Sequence, residues 1–310
     1  MTEENSKYIK LEEIVALSQK QGFCVVGATK IEKVENDFLD SWLDKGYNAS
    51  MKYMENYIEL RKNPSLLVPY AKTILCFLMS YNDERVDNEH IFKIASYAQR
   101  KDYHFVMKEK LRNIISSLQE KYTDLQAIAF VDSAPVLERY WAEKCGLGWK
   151  GKNSLLVNKE YGSKVFIGEI FCNITTDYFE EQIINRCGTC TRCIDICPNG
   201  AITKTGEIDS KRCISYQTIE NKQEIPYTFD TKNYIYGCDL CIEVCPWNKK
   251  AKKVDNQDIE TKELMNDVLN KISENELDRT DFNKLKKVTP LSRIKYDKLI
   301  SNVENVKKRL

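Results

Sequence analysis

Eight of the 12 cysteines in this 310-residue chain fall between residues 187 and 245, and their spacing is where chemistry can first be read. One run is Cys187-GT-Cys190-TR-Cys193-IDI-Cys197-Pro198; a second, Cys238-DL-Cys241-IEV-Cys245-Pro246, is one cysteine short, and Cys213 is the only cysteine between them. Three thiolates two residues apart can wrap one iron–sulfur cubane corner by corner, while the three-residue step to Cys-Pro carries a fourth ligand to a neighbouring cluster. Crossing the fourth ligands over gives two complete sets. One is Cys187, Cys190, Cys193 and Cys245; the other is Cys197, Cys213, Cys238 and Cys241. Paired CxxC also suits zinc, but zinc needs no Cys-Pro punctuation. Two 4Fe–4S clusters are the favoured reading. Cys24, Cys76, Cys145 and Cys172 are scattered, and all but Cys145 sit in apolar runs as small buried hydrophobes.

Such clusters need a scaffold, and the chain has the material for one. Hydrophobic residues make up 42% and charged residues 30%, which excludes a disordered chain. The net charge of +1 excludes a strong overall field, yet residues 249–310 carry 16 basic and 11 acidic side chains. No apolar run approaches the ~18 residues of a membrane span. The start, MTEENSKYIK, is too polar and acidic for a signal peptide, so a cytoplasmic protein is expected. Apolar periodicity predicts a helix over 7–20, strands over 23–28, 72–81 and 126–131, a helix over 103–120, and another over 136–145 closed by Gly146. Residues 153–157 and 164–172 alternate as a hairpin would. Alternating helices and strands over 1–175 indicate an α/β (α+β) layer structure. The glycine-rich loop over 146–154 follows a helix, which counts against dinucleotide binding; it suits close backbone approach to a large flat ligand.

A bare electron carrier needs no such domain, so the catalytic stretch is expected in residues 130–172, which include DSAPVLERYWAEKCGLGWKGKN from Asp132 to Asn153. This stretch resembles the D-(S/T)-x-P-x-x-E-R…G-x-x-G-KN segment of epoxyqueuosine reductases. The segments CGTCTRCIDICPNGAI, RCISYQTIE and YGCDLCIEVCPWNKKA, the RKNPSLLVP stretch from Arg61 and the KDYH stretch ending at His104 are similar to the same family. The resemblance covers about residues 7–250. It implies an N-terminal cobalamin-binding catalytic domain (1–178), a bacterial ferredoxin-like double-cluster domain (179–250) and a charged helical tail (251–310) without a complete HEAT-like repeat.

The implied activity is reduction of epoxyqueuosine to queuosine at the tRNA wobble position, with electrons passing from an external donor through the clusters to cobalamin. A reductive dehalogenase-like enzyme acting on a small molecule is the alternative; it would carry an export signal. A monomer binding a tRNA anticodon stem-loop, and no membrane, is expected. The resemblance makes Asp132 the proton donor, with a pKa raised by desolvation. Read from the residues alone, Asp132 or Ser133 better suits the cap of the helix that Pro135 helps start, and the family resemblance reverses that preference. Arg61, Ala95, Asp132, Asn153, Ser154, Leu156, Ile167 and Ile170 are the implied cobalamin contacts. His104 and His90 are the only histidines, and His104 reads as structural rather than as a cobalt ligand. The lysines of 249–253 and the basic tail could meet RNA phosphates.

Overall fold

A computed structural model describes residues 8–35, 37–83, 90–179 and 183–310. The first seven residues of the polar N-terminal segment lie outside the described residues, as do 180–182 beside the expected join of the first two domains. Strands β1 (Val25–Lys30), β2 (Thr73–Ser80), β4 (Ala127–Phe130) and β7 (Val165–Cys172) form one sheet in the order β1-β2-β7-β4. Every pairing in it is antiparallel, so the layer structure is of the α+β kind. Strand β2 is buried along its whole length because helices cover both faces of the sheet. On one face, helices Leu11–Lys20 and Tyr103–Lys121 pack Ile14, Met107, Leu111 and Ile114 against Leu75, Phe77, Phe166 and Ile170. On the other, helix Glu138–Lys144 lays Trp141 and Ala142 over Ile74, Cys76, Leu78 and Phe171. Gly27 permits this approach, since a Cβ there would stand 2.1 Å from the Cys145 carbonyl oxygen.

The expected hairpin of 153–157 with 164–172 does not form. Strand β6 (Leu156–Val157) pairs with β5 (Trp149–Lys150), and β7 instead sits between β2 and β4. Strand β7 is apolar on both faces, and such a strand is stable only inside a sheet. The alternation that marks a strand does not name its neighbour. The helix expected over 136–145 begins at Glu138 with Leu137 at the N-cap position and no side-chain cap. Asp132 and Ser133 therefore do not cap it.

The cysteine segment is built of short helices, Arg192–Asp195, Ile214–Ile219 and Leu240–Glu243, and of β8 (Tyr234–Tyr236), which pairs in parallel with β3 (Lys93–Ile94) of the preceding region. Helices Lys262–Glu274, Arg279–Lys286 and Tyr296–Lys307 follow. Their Met265, Leu269, Phe282, Leu285, Leu299 and Val303 share one core with Phe92, Ile94, Ile235 and Tyr236, so the charged C-terminal residues are folded onto the rest of the chain. No helix among the described residues is long and apolar enough to cross a membrane.

Candidate active site

The chain leaves β4 at Phe130 and turns at Asp132, whose φ of 49° lies in the left-handed region that Asp tolerates better than most residues. Its side chain is 55% exposed. The Tyr103 hydroxyl donates to Asp132 Oδ2 over 3.0 Å, and His104 Nε2 lies 3.1 Å from the same oxygen. The other imidazole nitrogen, Nδ1, is 2.6 Å from Asp102 Oδ1. Asp102 also N-caps helix Tyr103–Lys121 by accepting from the His104 backbone N–H. One local device thus starts the helix and aims the histidine. The Tyr103 ring stacks on Phe166 with centroids 4.1 Å apart and on His104 at 4.1 Å, fixing both planes.

The expectation of a raised Asp132 pKa is corrected by these contacts. Burial pushes it up, but the hydrogen bond and positive charge of His104, with help from Tyr103 and Arg293, outweigh burial and hold it below the ordinary carboxylate range. The partner moves the other way. Burial opposes the imidazolium, yet Asp102 and Asp132 together push the His104 pKa up to about 9. The resting proton therefore sits on His104.

Beneath Asp132 lie two more acids. The Asp132 backbone N–H donates to Glu138, whose pKa rises to about 8 through burial and the nearby Asp132 charge. Glu169, on β7, is fully buried, and neither carboxyl oxygen has a hydrogen-bond partner among the described residues. It stands in register with Phe130 on one side and Cys76 on the other, facing helix Glu138–Lys144. Burial, with the charges of Glu138, Cys145 and Asp132, raises its pKa well above the ordinary value. An isolated buried carboxylate is far more costly than the neutral acid, so Glu169 is protonated. The folded chain then keeps a proton that the unfolded chain releases above about pH 4.3, and stability falls as pH rises through that window. Glu169→Gln is expected to lose less stability than the parent as pH rises from 5 to 8, because the neutral amide has no proton to retain. Urea denaturation across pH checks this; parallel curves would refute it.

The expected cofactor contacts are dispersed. Arg61 lies beside Tyr53, where its guanidinium donates to the carbonyls of Tyr53 and Asn56, each over 3.3 Å. Tyr53 is 41% exposed there, with the Arg293 guanidinium 5.5 Å from its ring centroid. Ala95 has no exposed surface; it packs on Gly237, and its N–H is spent on the Tyr236 carbonyl. Leu156 is a core residue beneath helix Glu138–Lys144. Ile170 is buried on the opposite face of β7 from Ile167, because successive strand residues alternate, so one flat ligand cannot meet both side chains. The side chains of Ala95, Leu156 and Ile170 are thus taken up by core packing. The glycine-rich loop also approaches protein rather than open space: a Cβ on Gly148 would meet the Val157 carbonyl oxygen at 2.3 Å.

That loop instead holds the cysteine segment. Lys152 Nζ donates to the carbonyls of Gly188 (2.7 Å) and Cys190 (3.0 Å), and Asn153 Nδ2 reaches the Cys241 carbonyl at 3.5 Å. The Ser154 hydroxyl donates to the Gly206 carbonyl, and Trp149 meets Trp247 edge to face at 4.9 Å. Arg139 ties the Ser154 carbonyl back to the helix beside Glu138. All eight clustered cysteines are free thiols. Burial raises the pKa of Cys193, and the thiols next acting on it are Cys187, Cys245 and Cys190. Likewise Cys238 is affected by Cys213 and Cys197, and Cys241 by Cys238 and Cys213. The thiols of each expected set thus act on one another, Cys241 also feeling Cys193 of the other set, and the Ala201 N–H donates to Cys197 Sγ over 3.2 Å. Four converging thiols whose ionisation is mutually opposed fit a cationic iron–sulfur core.

A proton-handling face clamped to two four-cysteine sets defines an iron–sulfur oxidoreductase. Residues 186–248 match the family described as 4Fe-4S double cluster binding domain, and residues 61–133 match that described as epoxyqueuosine reductase QueG, DUF1730. An epoxyqueuosine reductase of Cyclobacterium marinum is 40% identical over 296 residues, covering 94% of each chain. The structure of epoxyqueuosine reductase from Streptococcus thermophilus superposes with a TM-score of 0.82 at 25% identity, covering 96% of this chain and 80% of that one. Another, solved with a tRNA-Tyr epoxyqueuosine-modified stem loop, gives 0.76 at 28% identity, with 96% and 79% covered. This chain belongs to the epoxyqueuosine reductase family, and its cysteine segment is a double 4Fe–4S domain.

Sequence reasoning had set His104 aside as structural and had given Tyr103, Asp102 and Glu138 no role. The available signal was Asp102 two residues before His104 at a helix start, a spacing that lets one carboxylate cap the helix and grip the imidazole. Nothing local marked Arg293, which arrives from the C-terminal helices, paired to Glu220 at 3.0 Å.

Proposed function

We propose that this protein reduces epoxyqueuosine to queuosine at the wobble position of tRNA, the last step of queuosine biosynthesis. The observation that carries the proposal is the likeness, over 96% of the chain, to a relative solved with an epoxyqueuosine-modified stem loop. The local chemistry agrees with it. Removing an epoxide oxygen as water takes two protons, and Asp132 is an exposed carboxylate with a protonated histidine behind it. Asp132 is the residue assigned to hand the proton to the leaving oxygen.

Cobalamin is the proposed redox cofactor. Asp132, Tyr53 and Arg293 are exposed and Arg61 half-buried, which supports their use in holding it, while Asn153 and Ser154 border the cluster side and Ile167 lies on the half-buried strand face. When bound, cobalamin supplies a strongly reducing cobalt, and the two clusters, proposed to be held by the eight cysteines, supply electrons singly from an external donor. The protein's own residues orient the substrate and move the protons. Lys249, Lys250 and Lys253 are exposed and make no ion pair among the described residues, whereas Lys252 is paired with Glu160 at 2.8 Å. They support contact with the phosphates of an anticodon stem-loop. A cytoplasmic monomer completes the proposal. The test is single-turnover incubation of prereduced, cobalamin-loaded protein with a stem-loop bearing epoxyqueuosine. Conversion to queuosine is expected; no conversion by protein holding about eight irons and cobalamin would overturn the assignment.

A further inference from the structure

We propose that His104 is a positioning residue that reloads Asp132 with a proton from solvent between the two proton deliveries, with Asp102 as the anchor that keeps the imidazole charged and aimed. The inference rests on the epoxide-reduction reading. In that reaction both C–O bonds of the epoxide break, a C=C bond forms, two electrons enter from the enzyme's redox groups and the oxygen leaves as water. Two protons are therefore consumed at one oxygen, and Asp132 carries one at a time.

The geometry supplies the second. Asp102 Oδ1, His104 Nδ1, His104 Nε2 and Asp132 Oδ2 form an unbroken chain with links of 2.6 and 3.1 Å. In one direction the proton on Nε2 moves to Asp132 Oδ2 and on to the substrate oxygen. The imidazole left behind is neutral, with its remaining proton on Nδ1 held by Asp102. The His104 side chain is 34% exposed, so Nε2 can recover a proton from water, whereas Asp102, at 9%, is shielded and stays an acceptor. Asp102 is anchored in turn by its backbone N–H, which donates to the Val288 carbonyl over 2.8 Å. With both nitrogens engaged by carboxylates, the protonated ring has no lone pair for a metal. This separates proton relay from cobalt ligation by the same side chain.

The groups facing the imidazole are Asp102 and Tyr103 from its own helix start and Asp132 from the end of β4, and the two carboxylates favour its charged form. Farther out, Glu138 interacts with both His104 and Asp132, and Arg293 from the C-terminal region acts on Asp132. Burial acts against charge but is outweighed, and the His104 pKa stands at about 9.

The experiment has two readouts. The first is the imidazole titration of the full-length, cluster-loaded chain labelled with 13C-histidine; His90→Ala assigns the two signals. His104 is expected to titrate well above the ordinary ~6.5 of histidine and to fall back toward it in Asp102→Asn and in Asp132→Asn. A titration at or below the ordinary value, or one that neither variant moves, overturns the relay. The second is the single-turnover rate against pH in cobalamin-loaded protein. The parent rate should decline as pH rises through about 9, where His104 loses its proton. His104→Gln, which can still hydrogen-bond to both neighbours, should be slower by roughly 10²-fold, with that decline gone and thermal stability retained. A parent-like rate and pH profile in His104→Gln overturns the relay. Failure of the parent to convert epoxyqueuosine would instead strike the functional reading, and the titration would still decide the relay.

Discussion

Asp132→Asn slows single-turnover epoxide reduction by roughly 10²–10⁴-fold, the usual worth of a positioned acid, while cluster content and fold survive. The substitution is close to isosteric, and Asn tolerates the left-handed φ of 49° as well as Asp does. An amide oxygen still accepts from the Tyr103 hydroxyl, and the backbone N–H still reaches Glu138. No helix cap is lost, because helix Glu138–Lys144 has none from Asp132. What disappears is the carboxylate that takes a proton from His104 and gives it to the substrate. The loss should be chemical and not structural. Asp132→Ala is a poorer test, since Ala at that φ adds strain of about 1 kcal/mol or more and abandons Tyr103. The measurement is conversion of an epoxyqueuosine stem-loop by prereduced protein with matched iron and cobalamin content. A rate near that of the parent would remove Asp132 from proton delivery.

The division between legible and hidden features follows from the range of the forces involved. The double-cluster segment was legible because ligand spacing is a local property, with two cysteine runs and Cys213 between them. Strand positions were legible for the same reason: 73–80 and 127–130 are apolar runs bounded by turn residues. Their order was not, because β7 gains its place only by burying both faces between β2 and β4. The burial of the expected cofactor contacts was not legible. Ala95, Leu156 and Ile170 match a family pattern by position, yet the packing that hides them depends on residues as distant as Gly237. The lowered Asp132 pKa was not legible because the end of an apolar strand, facing a corrin, suggests desolvation alone. The opposing imidazolium comes from a helix start 28 residues earlier. The basic C-terminal residues looked like a solvated surface, and some are. Arg293 nevertheless reaches the Asp132 face because the apolar residues around it, Leu291 and Ile294, are drawn into a core shared with Ile94 and Tyr236.

Cys213→Ala costs the protein one of its two clusters. Cys213 stands alone in sequence, at the N-cap position of helix Ile214–Ile219, with its N–H bonded to the Ser210 carbonyl at 2.9 Å and its carbonyl accepting from Gln217. Those backbone bonds hold the residue independently of any metal, and its thiol acts electrostatically on Cys238 and Cys241 and feels Cys197. Removing it leaves three ligands for a cluster that needs four, while Cys187, Cys190, Cys193 and Cys245 keep their own. Iron should therefore fall from about eight to about four per chain, and electron transfer into the catalytic domain should be lost almost completely. The backbone frame around residue 213 remains, so the defect belongs to the cluster and the segment it orders. Cys24→Ala serves as the control. Cys24 donates its thiol to the Leu78 carbonyl beside the sheet, and its substitution should leave iron untouched. Anaerobic iron and sulfide analysis, with the spectrum of the reduced clusters, reads the outcome directly. Eight irons retained in Cys213→Ala would mean that a non-cysteine ligand closes the second set. Loss of all iron would mean that the two clusters assemble as one cooperative unit, consistent with how tightly Lys152 and Asn153 bind one loop to both sets of cysteines.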